Sequence, residues 1–321
     1  MGSRILRALA VAAGAFAFAA GAAAAEAWPA RPVRIVVAFQ AGQGTDVATR
    51  YIASQLSAAL GQNFVVDNRP GAEGTLGTSI AAKSAPDGYT LLMGTAGTHA
   101  MNPALHDNPG FDPDTSFDAI ALTCLIPMAI SAHPSANVSK LSELVAAARA
   151  RPDKIDVALP SVTSRLVVEL LRKQEVPLFG VTYKGSATAS ADVLGGQVPV
   201  LVDTVGATRA HVGKLKVLAV TSARESALMP GVPSVAEQGL PKFEVVAWNV
   251  LMAPRGTPPE IIERLALETR KILAQPETTR RLRDLGFDAA PAMSPAEVAA
   301  FVKSEQQKFG SLIRGAGMKS N

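Results

Sequence analysis

Residues 33–60 read VRIVVAFQAGQGTDVATRYIASQLSAAL and change character twice. The run Arg34–Phe39 is short, apolar and almost without alternation, which is typical of a strand covered on both faces in a parallel sheet. A glycine-bearing turn follows it. Apolar side chains then recur at helical spacing from Ala48 onward, and Gly61 supplies a stop. The stretch therefore predicts a strand, a loop and a helix.

The loop between this strand and helix is a candidate anion site. A helix that begins at the carboxyl end of a parallel strand directs unpaired N–H groups and a partial positive charge into the crevice above the sheet. Thr45 or Asp46 can also cap the amides of the helix. The alternative is an ordinary strand–helix unit in which Gly42 and Gly44 only make the turn, because such a pair of glycines is a weak motif.

Length and composition favour a secreted globular protein. The chain has 321 residues, enough for two α/β domains, and 48% hydrophobic residues argue against disorder. Residues 1–25 combine Arg4 and Arg7 with an apolar run and small residues, which is typical of a secretory signal peptide. Its removal lowers the formal charge from +4 to about +2, so no nucleic-acid partner is predicted. The single cysteine, Cys124, is predicted to be a buried, inert thiol.

Strand and helix patterns alternate after the first helix. Phe64–Asp67 predicts a second strand, Thr75–Lys83 a helix and Tyr89–Met93 a third strand, which gives the order βαβαβ. The third strand ends in a small, hydroxyl-rich loop, Gly94–His99, that leads to a predicted helix at Asn102–His106. We expect this loop to open on the same crevice as the first one.

Two extended apolar segments, Ile120–Ala132 and Phe243–Met252, are interpreted as crossovers between two domains. The region between them predicts another α/β unit. Its predicted helices and strands are Leu141–Ala150, Ile155–Leu159, Thr163–Gln174, Phe179–Tyr183, Ser186–Leu194, Val198–Asp203 and Lys216–Val220. From Pro258 the pattern is helical, and we expect these last helices to pack on the first domain.

Motifs along the whole mature chain resemble those of one family. They are Trp28-Pro29, Phe39–Asp46, Asp67–Gly71, Ala85–Leu91, Tyr183–Gly185, Leu194–Val198, Leu218–Ser222, Trp248 and Gly256–Pro258. Together they resemble the extracytoplasmic solute receptors of tripartite tricarboxylate transporters, which are called TctC or Bug-type proteins.

The resemblance implies an α/β fold of two lobes, a type II-like periplasmic binding protein of the Venus-flytrap kind with two hinge crossovers. Domain one is expected to comprise residues 28–124 and 253–321, and domain two residues 125–252. Such a receptor resides in the periplasm of a Gram-negative cell and captures a small carboxylate-bearing molecule between its lobes. Its expected partners are the membrane permease subunits of a tripartite tricarboxylate transporter, and it is expected to be a monomer without cofactor or metal.

The resemblance also indicates which residues hold the ligand. In this family, backbone amides and small hydroxyls of the loop after the first strand provide most of the contacts, and the other lobe adds a second set. The first set corresponds here to Phe39, Ala41, Gly42, Gln43, Gly44, Thr45 and Asp46. Thr95, in the loop after the third strand, is expected either to contact the ligand or to cap the helix that follows.

The sequence departs from the family pattern in both lobes. Ala38 stands where a proline is usual, and Gln43 interrupts the run of glycines. In the second lobe, Leu159–Arg165 replaces a glycine-rich loop that carries a histidine. From this altered loop Ser161 and Thr163 are predicted to contact the ligand.

Arg165 belongs to the same loop and has two interpretations. In the first turn of a helix a cation opposes the helix dipole by roughly 0.3–1 kcal/mol. A ligand carboxylate bound bidentately would compensate for this, because the guanidinium fork matches carboxylate geometry. The alternative is that Arg165 points to solvent or pairs with a surface acid.

Asp203 ends a predicted strand of the second lobe. It either receives an amine or hydroxyl of the ligand or caps the next helix. The four histidines lack metal-ligand spacing, and the chain contains no nucleophile elbow, P-loop or complete dinucleotide fingerprint. An enzyme is therefore not predicted, and a receptor that signals to a two-component sensor kinase remains the alternative to a transport receptor.

Overall fold

The structure is a computed structural model that describes residues 28–106 and 110–318. The predicted signal peptide, residues 1–25, lies outside this part of the chain. Ten β-strands and ten α-helices are present in the described part, and all ten strands belong to one connected sheet.

The first lobe is built on the predicted strand–loop–helix unit. Strand β1 (Val33–Val37) pairs in parallel with β2 (Phe64–Asn68) on one side and with β3 (Thr90–Thr95) on the other. Helices α1 (Gly44–Leu60) and α2 (Thr75–Ala82) make the two connections. The predicted order βαβαβ is therefore confirmed.

Helix α1 forms where its apolar periodicity predicts it. Its face of Ala48, Ile52 and Leu56 is buried in the same hydrophobic cluster as β1. The helix ends because Gly61 adopts a left-handed φ of 69° and donates its N–H to the carbonyl of Ser57. The amino end of α1 is thereby fixed at the carboxyl end of β1.

The chain turns sharply before α2 and after β3. A short 3-10 helix, Ala72–Gly74, precedes α2, and a π-helical turn, Gly97–Met101, follows β3 and continues into α3 (Asn102–Leu105). The two short segments lie against each other, at the edge of the sheet where the parallel strands end. The sequence predicted α3 but not the π-helical turn.

One long strand, β4 (Phe117–Ala132), is shared by the two lobes. Up to Pro127 it pairs antiparallel with β9 (Val246–Pro254), and from Met128 onward it pairs antiparallel with two strands of the second lobe, Val200–Thr204 and Lys216–Val220. The return crossing lies beside it, because Val245 donates its N–H to Thr221 of the second lobe whereas Val246 pairs with Pro127. Both predicted crossovers are thus strands of a common ladder.

The second lobe is a smaller parallel sheet with helices. Its strands are β5 (Asp156–Leu159), β6 (Phe179–Thr182), β7 (Val200–Thr204) and β8 (Lys216–Val220). Its helices are α4 (Leu141–Ala150), α5 (Val162–Lys173), α6 (Ser186–Leu194) and α7 (Val205–Arg209), and it includes the 3-10 turns Pro134–Ala136 and Ala236–Gln238. Strand β5 is parallel to both β6 and β7, so three strands end at one edge.

The C-terminal helices are α8 (Pro259–Leu273), α9 (Pro276–Asp284) and α10 (Pro295–Ala316). Helix α8 packs on α1 and β4, as predicted for the first lobe. Helix α10 also contacts α5 of the second lobe, a contact that was not predicted from the sequence. A two-residue strand, β10 (Asp288–Ala289), pairs with β4 and was not predicted.

Helix α10 is fixed near the crossovers by one buried polar contact. The indole N–H of the fully buried Trp248 donates to Glu305 Oε2 at 3.0 Å. This bond satisfies an indole that would otherwise be buried without a partner. The C-terminal helix is therefore anchored to the strand from which the chain returns to the first lobe.

Candidate functional site

A cavity of about 550 Å³ lies between the two lobes. It is bounded by the carboxyl ends of β1, β2 and β3 from the first lobe and of β5, β6 and β7 from the second. Nine of the twelve residues predicted to contact a ligand line this cavity: Phe39, Gln43, Gly44, Thr45, Thr95, Ser161, Thr163, Arg165 and Asp203. The facing strand ends of the two lobes have brought together residues that are far apart in sequence.

The remaining three predicted residues, Ala41, Gly42 and Asp46, do not line the cavity. Asp46 is buried, and its carboxylate accepts hydrogen bonds from the N–H of Gly42 at 2.8 Å, from Asn68 at 2.9 Å and from Arg50 at 3.0 Å. Burial opposes ionisation of Asp46, but these bonds together hold its pKa below the ordinary value. Asp46 therefore shapes the first loop, and the ligand contacts of these three residues stay predictions.

The amino end of α1 faces the cavity through Gln43, Gly44 and Thr45. Gln43 is the N-cap residue, with extended backbone and no capping bond from its side chain. The side-chain nitrogen Nε2 of Gln43 instead lies against Gly185 of the second lobe. A β-carbon added to Gly185 would be only 2.9 Å from this nitrogen. The departure from the family's glycine run therefore gives a contact between the lobes.

Asn249 is a cavity residue that the sequence reasoning missed. It lies on β9 opposite Thr95, is fully buried, and its Oδ1 is 3.4 Å from the hydroxyl of Thr45, which donates to it. Its Nδ2 has no acceptor in the described part of the chain. The only signal in the sequence is a lone amide in an otherwise apolar strand, which does not reveal that the strand borders a cavity.

Thr95 makes the capping interaction that the sequence allowed. Thr95 and Thr98 exchange hydrogen bonds: the N–H of Thr98 donates to Thr95 Oγ1 at 3.1 Å, and the N–H of Thr95 donates to Thr98 Oγ1 at 3.0 Å. The following His99 is buried between Phe111 and Phe117, and burial lowers its pKa to about 3. A cap is therefore present, and a ligand contact of Thr95 stays a prediction.

The altered loop of the second lobe begins α5 with a capping box. Ser161 Oγ accepts from the N–H of Ser164, and Ser164 Oγ accepts from the N–H of Ser161. Thr163 reaches the first lobe, where its hydroxyl is 3.7 Å from Met101 Sδ. The loop thus presents the start of a well-capped helix to the cavity.

Arg165 lies in the first turn of α5 and its side chain is only 14% exposed. Its guanidinium is 3.9 Å from Glu73 Oε1 of the first lobe, and Glu73 also contacts His106 at 3.3 Å. Glu73 sits in a strained turn with a left-handed φ of 53°. A cation in the first turn of a helix opposes the helix dipole, and Glu73 of the opposite lobe provides a negative charge beside Arg165.

Asp203 lies at the carboxyl end of β7 and is 1% exposed. Its Oδ1 accepts from the N–H of Thr204 at 2.7 Å and from Ser186 Oγ at 3.1 Å. The next helix, α7, is capped by Thr204, so the alternative in which Asp203 caps it is wrong. Burial raises the pKa of Asp203 to about 6, although both hydrogen bonds act in the opposite direction.

Two further charged residues belong to the cavity and were not predicted from the sequence. Lys184 and Glu73 line the cavity, although neither was selected from the sequence.

Cys124 is buried and burial raises the pKa of its thiol to about 12, as expected of an inert thiol. Within residues 28–106 and 110–318, no cluster of three or more His, Cys, Asp or Glu side chains could hold a metal ion. In the same ranges no helix is long and apolar enough to cross a membrane.

Comparison with known proteins identifies the family. The model of the family described as "Tripartite tricarboxylate transporter family receptor", TctC, matches residues 48–318. This chain belongs to the TctC family. A similar protein is a UPF0065 protein of Bordetella bronchiseptica, which is 34% identical over 320 residues, covering 98% of this chain and 94% of that protein. Protein BugT of Bordetella pertussis is 34% identical over 302 residues, covering 92% of each chain.

Solved structures with the same fold are two-lobed binding proteins. Rpa4515 of R. palustris, determined with adipate, superposes with a TM-score of 0.86 and 34% identity over 91% of this chain and 99% of that one. The periplasmic binding protein BugD superposes with a TM-score of 0.82 and 34% identity, over 92% of this chain and 100% of its own. This TctC-family chain is therefore a two-lobed solute-binding receptor of a transporter, and its family and neighbours are binding proteins rather than enzymes.

Proposed function

We propose that this receptor captures a small carboxylate-bearing molecule in the cavity between its lobes and delivers it to the permease subunits of a tripartite tricarboxylate transporter. The observation that carries the proposal is the meeting of the α1 amino end with Arg165 at one cavity. Helix amino ends and guanidinium groups are the two protein features best suited to carboxylates. The adipate of the similar Rpa4515 is a ligand of this class.

Each lobe contributes its own set of proposed ligand contacts. From the first lobe we propose Phe39, Ala41, Gly42, Gln43, Gly44, Thr45, Asp46 and Thr95. From the second lobe we propose Ser161, Thr163, Arg165 and Asp203. The first set is dominated by backbone amides and hydroxyls, so it binds the carboxylate that the family has in common, whereas the second set differs from the family pattern and sets specificity.

The ligand carboxylate would compete with Glu73 for Arg165. Glu73 Oε1 is 3.9 Å from the guanidinium, which is long for a hydrogen-bonded pair, whereas charge-assisted N–H···O bonds are typically about 2.7–2.9 Å long. A ligand oxygen at the shorter distance would gain more from the same cation. The long contact with Glu73 is therefore one that a ligand carboxylate can replace.

The lobes are proposed to move about the two adjacent crossings. Strand β4 changes partners between Pro127 and Met128, and the return strand does so between Val245 and Val246. The domain boundaries expected from the sequence, at 124/125 and 252/253, stay predictions. Closure about such a hinge would shift an open–closed population when a ligand binds.

The same proposal predicts the compartment and the partners of the receptor. The receptor would act in the periplasm as a monomer, without metal, cofactor or catalytic step, and its partners would be the ligand and the membrane permease. Such a role needs no nucleic acid, which agrees with the weak net charge of +4 over the full sequence.

A thermal-shift screen against mono-, di- and tricarboxylates tests the proposal, because a ligand that binds only the native state raises its melting temperature. We expect at least one carboxylate to raise it and Arg165→Ala to weaken that binding by about 10- to 100-fold, the loss of charge-assisted hydrogen bonds. Arg280→Ala, at an exposed position of α9, is the matched control and should bind normally. A screen in which only neutral or amidated compounds bind would contradict the carboxylate proposal.

A further inference from the structure

Asp203 has one satisfied and one unsatisfied carboxylate oxygen. Oδ1 accepts from Thr204 N–H and Ser186 Oγ, but Oδ2 is buried without a hydrogen-bond partner in the described part of the chain. The residue lines the cavity between the lobes and only 1% of its surface is exposed. Buried carboxylate oxygens of native proteins are almost always paired, so the missing donor requires an explanation.

The described residues supply no ion-pair partner for this carboxylate. Among residues 28–106 and 110–318, no ion pair includes Asp203. Lys184 lines the same cavity but does not pair with it, and Arg165 is beside Glu73. Burial raises the pKa of Asp203 to about 6, so the group is still mainly ionised at neutral pH. A buried charge of this kind is normally compensated by a bonded partner.

The first lobe, in contrast, contributes hydrogen-bond donors to the cavity. Asn249, at the wall formed by β9, has a buried Nδ2 donor without an oxygen acceptor among the described residues, and its side chain is close only to the weakly accepting thiol of Cys124 among the ionisable groups. The amino end of α1 adds backbone donors at Gly44 and Thr45 to the same cavity. One side of the cavity therefore lacks an acceptor, whereas the Asp203 side lacks a donor. A ligand with a negative and a positive end would satisfy both.

We propose that the ligand is an amino carboxylate whose protonated amine donates a hydrogen bond to Asp203 Oδ2 while its carboxylate binds at the first-lobe donors. The inference rests on the proposed carboxylate capture and names the second functional group of the ligand. A protonated amine is favoured over a neutral hydroxyl, because only the amine brings a charge that offsets the buried carboxylate.

Matched ligand pairs test the inference directly. Straight-chain carboxylates of three to six carbons are titrated calorimetrically against the full mature protein, each beside its α-amino and ω-amino derivative and its hydroxy derivative. We expect one amino derivative to bind at least 10-fold more tightly than its amine-free parent and than the hydroxy compound. Asp203→Asn should abolish that preference, and the exposed Asp284→Asn should retain it.

The outcomes separate this inference from the function on which it rests. Tight binding of the amine-free or hydroxy compounds in preference to every amino derivative overturns the amine contact and leaves carboxylate capture intact. Retention of the amine preference by Asp203→Asn overturns the role of Asp203. Absence of binding by every amino derivative, while another carboxylate of the thermal-shift screen binds, overturns the amine contact alone. Absence of binding by every carboxylate of both panels overturns both proposals. If Asp203→Asn does not fold, the affinities of the wild-type protein for amino and amine-free compounds still test the amine preference.

Discussion

The charged side chains at the cavity are close to balanced before any ligand arrives. Arg165 of α5 faces Glu73 across the lobes, and Lys184 and Asp203 line the same space. A ligand carboxylate at Arg165 would therefore exchange partners with Glu73 rather than meet a bare cation. The selectivity of the site should depend on where donors and acceptors lie more than on its net charge.

Asp203 should make the stability of the ligand-free protein depend on pH. Its pKa rises from 3.8 to about 6 on folding, so the folded state binds more protons than the unfolded state between about pH 4 and pH 6. Stability consequently falls as the pH rises through this window, and the penalty is complete above it. Asp203→Asn should raise the free energy of unfolding at pH 7.5 by about 3 kcal/mol and leave it nearly unchanged near pH 4.

Urea unfolding across this pH range measures the effect. The exposed Asp284→Asn serves as the control and should follow the wild-type curve. A difference between Asp203→Asn and wild type that is the same at every pH would show that burial does not perturb this carboxyl as described.

At the scale of single elements, the N-terminal capping box of α5 stabilises the loop Leu159–Arg165. Ser161 and Ser164 satisfy each other's backbone N–H groups. Ser161→Ala should therefore lower the free energy of unfolding by about 0.5–2 kcal/mol, the usual cost of losing an N-cap. Chemical denaturation provides the measurement, with Ser304→Ala in α10 as a control, since the Ser304 side chain caps no helix end. An equal effect of both substitutions would contradict the capping role.

The elements also show where sequence reasoning succeeds and where it stops. Helix α1 was predictable because its periodicity and its glycine stop are local signals. Strand β10 was not, because two residues carry no periodic pattern and their partner on β4 is remote in the chain. The same limit applies to the site: the loops at strand ends were predictable, whereas the approach of Glu73 to Arg165 depends on how two lobes meet.

At the scale of the whole molecule, the lobes also touch away from the cavity. Gly206 of α7 packs against the backbone of Gly286, and a β-carbon on Gly206 would lie 2.9 Å from the carbonyl oxygen of Leu285. Arg209 donates to the carbonyl of Arg283 beside this contact. The absence of a side chain at Gly206 therefore permits the close approach of the lobes.

Gly206→Ala should act as a wedge against closure. The added methyl cannot be accommodated without separating α7 from the loop after α9, so ligand affinity should fall by about 10-fold or more, since each 1.4 kcal/mol lost is a tenfold change. Calorimetry with the ligand found in the screen gives the measurement. Gly315→Ala is the control, because a β-carbon there would meet open space. Unchanged affinity in Gly206→Ala would mean that binding does not require this contact.

The position of the bound ligand in a co-crystal structure tests the central proposal most directly. The carboxylate with the largest thermal shift is the compound to use. We predict its carboxylate within hydrogen-bond distance of the backbone amides at Gly44 and Thr45, in a cavity closed by Arg165 from the opposite lobe. A ligand bound outside this cavity, or one whose carboxylate contacts neither the α1 amino end nor Arg165, would contradict the proposed mode of capture.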